Sequence, residues 1–374
     1  MKTFQALEII AKITSPYIND RKLLKKLISS LDSSQWEKIV TLANKNQVVT
    51  NLYNALKKKN LLCYISDKQL LGYFKEVTKL NGLRNRYILE QVDEISKIFQ
   101  NRDITFTLLK GVASLERGYY NDISERVMLD IDILVEKEKI FEAIHLLKQN
   151  GYKEISSIPL LSNWHHYNRL YHPKKMTSLE VHRYALSNYK LFPINLKEGI
   201  HLQKSSTFFN AYTLMPNYEL IHVFLHSQIS HRHHKNFFLD IKQLLHFITL
   251  LNYYEKEIDF AFINEFMSSN NLQKSWNEYC YTLQKLFNVK FPFPLKNHKR
   301  YISNIEYFIN NPTSWYVRGY KMKNKIFHFF SYQSLQRRYN FNKRSSYIFY
   351  LIRYFFYGIK VFIKNKEKRR DFFK

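Results

Sequence analysis

Residues that interrupt regular secondary structure are scarce in this chain. It contains only 8 glycines and 8 prolines among 374 residues. An all-β protein needs many tight turns, and glycine and proline supply most of them. Their scarcity therefore favours long helices and argues against an all-β fold. The chain is also too long for one small core, so we expect a central domain with additional segments.

Helical and extended patterns divide the chain into four regions. Apolar residues recur at helical spacing in residues 1–99, as in YILEQVDEISKIFQ. Residues 100–186 alternate the extended runs ITFTLL, MLDIDILV and the hairpin pair HYNRLYH and SLEVHRY with helical patterns. Helical periodicity returns over 187–314, and a basic, aromatic tail follows at 315–374. The predicted fold class is α+β, a small mixed β-sheet core flanked by helical N-terminal and C-terminal regions.

Two features of the chain concern its compartment. Cys63 and Cys280 lie far apart and have no metal-ligand spacing, so we expect two ordinary buried thiols in a reducing compartment. The N-terminus has no continuous apolar core of the signal-peptide type, and no segment reaches the roughly 18 to 20 uncharged apolar residues of a transmembrane helix. These features predict a cytoplasmic protein.

The charge of the chain is strongly positive and concentrated at its end. The formal net charge is +27, which favours anionic partners such as nucleotides, nucleic acid or acidic lipid surfaces. Residues 315–374 contain 16 Lys and Arg against Glu367 and Asp371. This tail fits three interpretations: a helix on an anionic membrane surface, a binder of single-stranded nucleic acid, or a helix packed on the protein with a solvated basic end.

Two aspartates stand two residues apart in the extended run MLDIDILV. Side chains alternate along a strand, so Asp130 and Asp132 share one face. The opposite face holds Leu129, Ile131, Ile133 and Val135. Two carboxylates about 6 to 7 Å apart repel each other unless cations offset them, and divalent metal ions do this well. An isolated Asp-x-Asp also fits an exposed edge strand or a helix cap, so its context decides.

That context contains a turn and a third acid. Lys110 and Gly111 end the first extended run and begin a helix, where exposed backbone N–H groups bind phosphate readily. Glu180 lies in a later extended run, SLEVHR, and its carboxylate can complete a two-metal site.

The segments LLKGVASLERGYY, ERVMLDIDILVE, SLEVHR and LIHVFLHSQISH together resemble the uncharacterised nucleotidyltransferase family of the DNA polymerase β-like superfamily. The resemblance covers roughly residues 100–250. It implies a polymerase β-like core and transfer of an NMP group from an NTP donor to an acceptor hydroxyl, with release of pyrophosphate. The implied cofactor is Mg²⁺, as two ions, with Mn²⁺ as a substitute.

The resemblance also implies roles for individual residues. Asp130 and Asp132 would bind the two metal ions, and Glu180 would be the third carboxylate, helping to deprotonate the acceptor hydroxyl. Lys110, Gly111 and Ser114 would lie beside the triphosphate. The chain departs from the superfamily at Val112, where Ser or a second Gly usually follows the turn glycine. Arg126 would pair with a phosphate or, equally, stand as a solvated arginine at the strand entrance.

Histidines leave further alternatives open. His222 and His226 have the i, i+4 spacing of helical zinc sites, but the glutamate of the His-Glu-x-x-His motif is absent, which favours a structural or substrate-facing role. His182 shares the face of Glu180 and would approach the substrate or hydrogen-bond a carboxylate. The alternative to a transferase is a non-catalytic protein of the same fold that binds nucleotide, or a membrane or nucleic-acid surface.

Overall fold

The structure is a computed structural model. It describes residues 1–155, 165–194, 196, 198–199, 201–329, 331, 335 and 347–353. Most of the basic tail segment therefore lies outside the described residues. The described residues fall into two compact units, of which the larger ends at Pro312 and the smaller begins at Thr313.

The N-terminal region is helical, as its periodicity predicts. Its helices are α1 (Thr3–Thr14), α2 (Arg21–Ser29), α3 (Ser33–Lys45), α4 (Val49–Lys58) and α5 (Lys68–Gln100). Aspartates begin three of them: the side chains of Asp20, Asp32 and Asp67 accept hydrogen bonds from backbone N–H groups of the first turn. Apolar faces of these helices enter one continuous core with the C-terminal helices. Cys280 is buried as expected, but the prediction for Cys63 is wrong: it is exposed, because it lies in a short surface turn, Leu62–Tyr64, that contains no buried residue.

Seven strands form one mixed sheet in the described part of the chain, in the order β3-β4-β5-β2-β1-β7-β6. The strands are β1 (Phe106–Leu109), β2 (Asp130–Val135), β3 (Lys153–Glu154), β4 (Leu170–Tyr171), β5 (Ser178–His182), β6 (Leu202–Lys204) and β7 (Ala211–Leu214). Helix α6 (Lys110–Glu116) follows β1, and α7 (Ile140–Gln149) follows β2. Strand β2 is antiparallel to β1 and parallel to β5, and β4 and β5 form the expected antiparallel hairpin. The predicted α+β fold with a mixed sheet is confirmed.

The sheet continues beyond residue 186, where only helical structure was expected. Strand β7 pairs in parallel with β1, and β6 pairs with β7. These strands have three and four residues, too few for an alternating pattern to be distinguished from a helical one. The four domain boundaries stay a proposal.

The C-terminal helices of the larger unit share one hydrophobic core with the N-terminal helices and with strand residues such as Leu109 and Leu134. They are α8 (Pro216–Phe224), α9 (His233–Asn236), α10 (Ile241–Tyr254), α11 (Phe260–Ser269), α12 (Gln273–Phe287) and α13 (Lys299–Asn310), with a π-helical turn at Leu225–Ser230. The smaller unit contains α14 (Trp315–Phe329). Across the described residues, no helix is both long and apolar enough to cross a membrane.

Candidate active site

The pairing of β2 with β5 brings the three predicted acids together. In this parallel pair Asp132 lies opposite Glu180, and Asp130 lies opposite Ser178. All three acids line one cavity of about 480 Å³. On the other face of β2, Ile131, Ile133 and Val135 are buried as expected. Leu129 is 57% exposed, because it lies before the first paired residue of the strand.

Asp132 is the most tightly held of the acids. Its Oδ1 accepts hydrogen bonds from Lys110 Nζ at 2.6 Å and from His182 Nε2 at 2.8 Å. Burial alone raises the pKa of Asp132, but the charge of Lys110 and the hydrogen bond from His182 outweigh burial and hold that pKa well below its usual range. Burial lowers the pKa of His182, so its imidazole is neutral near pH 7.

Arg169 links the other two acids. Its Nε donates to Glu180 Oε1 at 2.9 Å, and its Nη2 donates to Asp130 Oδ2 at 3.2 Å. Despite this pairing, burial and the repulsion from Asp132 and Glu180 raise the pKa of Asp130. The pKa values of the two aspartates of one strand are therefore shifted in opposite directions, as expected when negative charge is concentrated in a small volume.

The turn between β1 and α6 places Lys110 and Gly111 on the cavity wall. Lys110 has a left-handed backbone (φ 55°). At Gly111, an added Cβ would lie 2.7 Å from Met128 Cγ and 3.5 Å from Arg126 Nε, so only glycine fits without displacing a neighbour. Ser114 does not line the cavity: its buried hydroxyl donates to the Lys110 carbonyl at 2.9 Å, one helical turn back. Ser114 therefore leaves the set of proposed nucleotide contacts.

Helix α5 fixes the loop that leads into β2. Asn81 Nδ2 donates to the carbonyls of Ser124 (2.7 Å) and Arg126 (3.0 Å). Asn85 Nδ2 donates to the carbonyls of Ile123 (2.6 Å) and Arg126 (2.7 Å). Arg126 lines the cavity and is only 5% exposed, and its Nε has no hydrogen-bond partner among the described residues. Arg126 is thus buried in the cavity wall and is not a solvated arginine at the strand entrance.

The remaining wall of the cavity comes from the C-terminal helices. His226 and His231 face it, with their Nε2 atoms 3.2 Å apart. His222 is buried instead, with its Nε2 3.2 Å from the Ala185 carbonyl oxygen. Of the two histidines with i, i+4 spacing, His222 is thus structural and His226 faces the cavity. Lys242, in the first turn of α10, also lines the cavity.

Comparison with known proteins places the chain in a family. A family model described as an uncharacterised nucleotidyltransferase matches residues 32–288, more than half of the chain. The chain belongs to this nucleotidyltransferase family. Among curated proteins no relative matches the chain, and no solved structure matches it.

The matched range contains the sheet, helix α5 and every residue that lines the cavity. The resemblance inferred over residues 100–250 is confirmed, and the match also includes most of the N-terminal helices. Nucleotidyltransferases usually use divalent metals, and the donor set of this cavity suits one. Asp132, Glu180 and His182 can each offer one ligand atom, and these atoms all lie within 4.8 Å of one another.

Sequence reasoning missed several residues of the cavity. His182 was left between two roles, and the structure shows the hydrogen bond to a carboxylate. Arg169 and Lys242 were not singled out at all. Arg169 had one usable signal, its place on the hairpin partner of the Glu180 strand. Lys242 had none, since its approach to the acids depends on how α10 packs in the folded chain.

Proposed function

We propose that this nucleotidyltransferase moves an NMP group from an NTP to an acceptor hydroxyl and releases pyrophosphate, using Mg²⁺ or Mn²⁺. The observation that carries the proposal is the convergence of Asp130, Asp132 and Glu180 in a cavity that also contains unneutralised cations. Carboxylates suit the metal ions, and arginine and lysine suit phosphates.

The acids hold the metal ions in this proposal, with His182 as an additional donor beside Asp132 and Glu180. When bound, the ions supply electrostatic stabilisation of the attacking and leaving oxygens. Glu180 accepts the proton of the acceptor hydroxyl. Lys110, Gly111 and Arg126 border the phosphates, with Lys110 and Arg126 supplying positive charge.

Replacing Asp132 with asparagine tests the proposal. Asp132→Asn keeps the shape of the side chain and removes the charge that metal binding needs. Loss of several kcal/mol of charge stabilisation corresponds to a fall of at least about 100-fold in rate. The measurement is pyrophosphate release from each NTP over a panel of hydroxyl acceptors, with circular dichroism to verify the fold.

The matched control is Asp93→Asn, at an exposed aspartate of α5 that pairs with Lys97 on the same helix. It should retain the wild-type rate. Equal rates in Asp132→Asn and wild type would contradict the proposal.

One observation favours a second function, nucleotide binding without turnover. Val112 is buried and offers no hydroxyl after the turn glycine, and the Ser114 hydroxyl is used inside α6. Neither position supplies the usual phosphate contact. NTP binding without pyrophosphate release across the acceptor panel would support this alternative, and any acceptor-dependent release would exclude it.

The partners remain part of the proposal. They are an NTP donor, a hydroxyl acceptor and, through the basic tail, either an anionic membrane surface or nucleic acid. The proposed location is the cytoplasm, at the membrane surface if the tail binds anionic lipid. A chain truncated after Tyr339 tests the tail. Unchanged binding to anionic liposomes and to RNA after truncation would show that the tail is not the binding element.

A further inference from the structure

The charges that line the cavity do not balance. Its acids are Asp130, Asp132 and Glu180, and its lysines and arginines are Lys110, Arg126, Arg169 and Lys242. Lys110 and Arg169 pair with the acids. Arg126 and Lys242 are left over, and both face the same cavity from different parts of the chain.

These two cations repel each other in a poorly hydrated place. Arg126 Nε is buried and has no hydrogen-bond partner among the residues that the structure describes. Lys242 Nζ donates to a neutral amide oxygen, Gln47 Oε1, at 2.5 Å. Burial and, after it, the charge of Arg126 lower the pKa of Lys242 to about 7, against the opposing effects of Asp240, Asp130 and Asp132. An anion between the two cations would relieve this repulsion.

The start of α10 adds to the positive field. This helix has 14 residues, and Lys242 and Gln243, both in its first turn, line the cavity. The N-terminus of a helix carries partial positive charge and attracts phosphate. The Asp240 side chain caps the helix by accepting from the Gln243 N–H at 3.1 Å, so its carboxylate offsets part of this positive charge.

Neighbouring elements locate the pair relative to the acids. Arg126 Nε lies 3.5 Å from the place of a Cβ on Gly111, so the guanidinium borders the turn after β1. The negative charges of Asp130 and Asp132 raise the pKa of Lys242, so its ammonium group lies within electrostatic reach of these acids. A polyphosphate near the acids can therefore extend toward both cations within one cavity.

We propose that Arg126, Lys242 and the first turn of α10 form an oxyanion subsite for the terminal phosphates of the NTP, and so for the pyrophosphate product. The planar guanidinium contacts two oxygens of one phosphate, and the lysine ammonium contributes a mobile point charge. This inference rests on the proposed function. A phosphate group on the acceptor has similar chemistry, and the experiment separates the two sources.

The experiment measures binding of inorganic pyrophosphate by calorimetry in excess EDTA, so that metal ions bound to the acids play no part. We expect wild type to bind pyrophosphate and Lys242→Gln to bind it about tenfold more weakly, the loss of one charge-assisted hydrogen bond. Lys97→Gln, at an exposed lysine of α5, is the matched control and should bind as wild type does.

Arg126 is buried, so its replacement needs a conservative variant. Arg126→Lys keeps the charge and loses the planar fork, and it should weaken pyrophosphate binding while the circular dichroism spectrum stays unchanged. If Arg126→Lys does not fold, Lys242→Gln alone decides. Equal pyrophosphate affinity in wild type and Lys242→Gln, or no binding to wild type, would overturn the subsite.

Glycerol phosphate serves as the probe for a phosphate on the acceptor. We expect it to bind at least tenfold more weakly than pyrophosphate, and equal or tighter binding would overturn the assignment to the donor. The outcome is separable from the proposed transfer reaction. If wild type has no transfer activity but its pyrophosphate binding is weakened in Lys242→Gln, the subsite stands and the transferase proposal falls. If wild type has transfer activity but Lys242→Gln binds pyrophosphate as tightly as wild type, the transferase proposal stands and the subsite falls.

Discussion

At the scale of single residues, the environment of each carboxylate decides its charge. Asp130 and Asp132 belong to one strand, yet the pKa of Asp132 is lowered by Lys110 and His182 while that of Asp130 is raised, first by burial. Asp132 therefore stays ionised and ready to bind a cation. Asp130 gains most from any additional positive charge, which a divalent ion would supply.

The donor set predicts that His182 contributes to metal affinity. We expect His182→Gln to lower the affinity for Mn²⁺ by roughly 10- to 100-fold, the range seen when groups around a metal site are removed. Titration followed by the electron paramagnetic resonance of free Mn²⁺ measures this change. His145→Gln, at an exposed histidine of α7, should bind as wild type does. Equal affinity in His182→Gln and wild type would remove His182 from the proposed ligands.

Lys242 predicts a pH dependence of stability. Burial, followed by the charge of Arg126, lowers the pKa of Lys242 from 10.5 to about 7. Between these two values the unfolded chain holds a proton that the folded chain has released, so this group's contribution to stability rises with pH across that window. The cost of burying the charge is fully present below pH 7. Other groups also titrate in this pH range, so the test compares the free energy of unfolding of wild type with that of a variant without Lys242.

Urea unfolding of wild type and Lys242→Met at pH 6, 7.5 and 9 measures that difference. The advantage of Lys242→Met over wild type should be largest at pH 6 and should shrink as the pH rises. An advantage that is constant with pH would show that Lys242 keeps its proton in the folded protein.

At the scale of elements, helix α5 holds the loop before β2 in place through buried amides. Asn85 Nδ2 donates to two carbonyls of that loop. Asn85→Leu leaves the Ile123 carbonyl without this partner, while the Arg126 carbonyl keeps the bond from Asn81. We therefore expect a loss of about 1 to 3 kcal/mol in the free energy of unfolding. Asn19→Leu, whose amide makes an exposed hydrogen bond, should change it little. A small effect at Asn85 would mean that the loop does not depend on α5.

The turn between β1 and α6 depends on the absence of a side chain at Gly111. A Cβ there would press on Met128, so Gly111→Ala should lose about 1 to 3 kcal/mol of stability and should weaken pyrophosphate binding beside Arg126. Gly72→Ala is the matched control, because its Cβ would meet nothing within 4 Å inside a helix. Thermal unfolding that ranks Gly111→Ala equal to Gly72→Ala would contradict the close approach.

Elements with enough residues to show a period could be predicted from the sequence. The six residues of β2 and the five of β5 were recognisable, and alternation placed Asp130 and Asp132 on one face. Strands β6 and β7 were too short for such a pattern. The π-helical turn at Leu225–Ser230 has an ordinary helical sequence, so the different surroundings of His222 and His226 could not be foreseen. Partners such as Arg169 depend on the pairing of β4 with β5, which only the folded sheet fixes.

At the scale of the whole molecule, the family match and the net charge both agree with the proposed nucleotide ligand. The match at residues 32–288 includes the cavity and the helices that support it. The net charge of +27 raises the local concentration of anions, and salt screens this attraction. Nucleotide binding must therefore be distinguished from nonspecific attraction of anions. Asp132→Asn makes that distinction: it removes a negative charge, so it would strengthen nonspecific attraction but weaken binding of a metal–nucleotide complex.

The most direct measurement is the thermal unfolding midpoint with each NTP, with and without Mg²⁺, in wild type and in Asp132→Asn at 0.15 M salt. A ligand at 100 times its Kd stabilises the folded state by about 2.7 kcal/mol. We expect a Mg²⁺-dependent rise of the midpoint with at least one NTP in wild type, and its loss in Asp132→Asn. No rise with any NTP, or the same rise in both proteins, would contradict a metal–nucleotide site at Asp132.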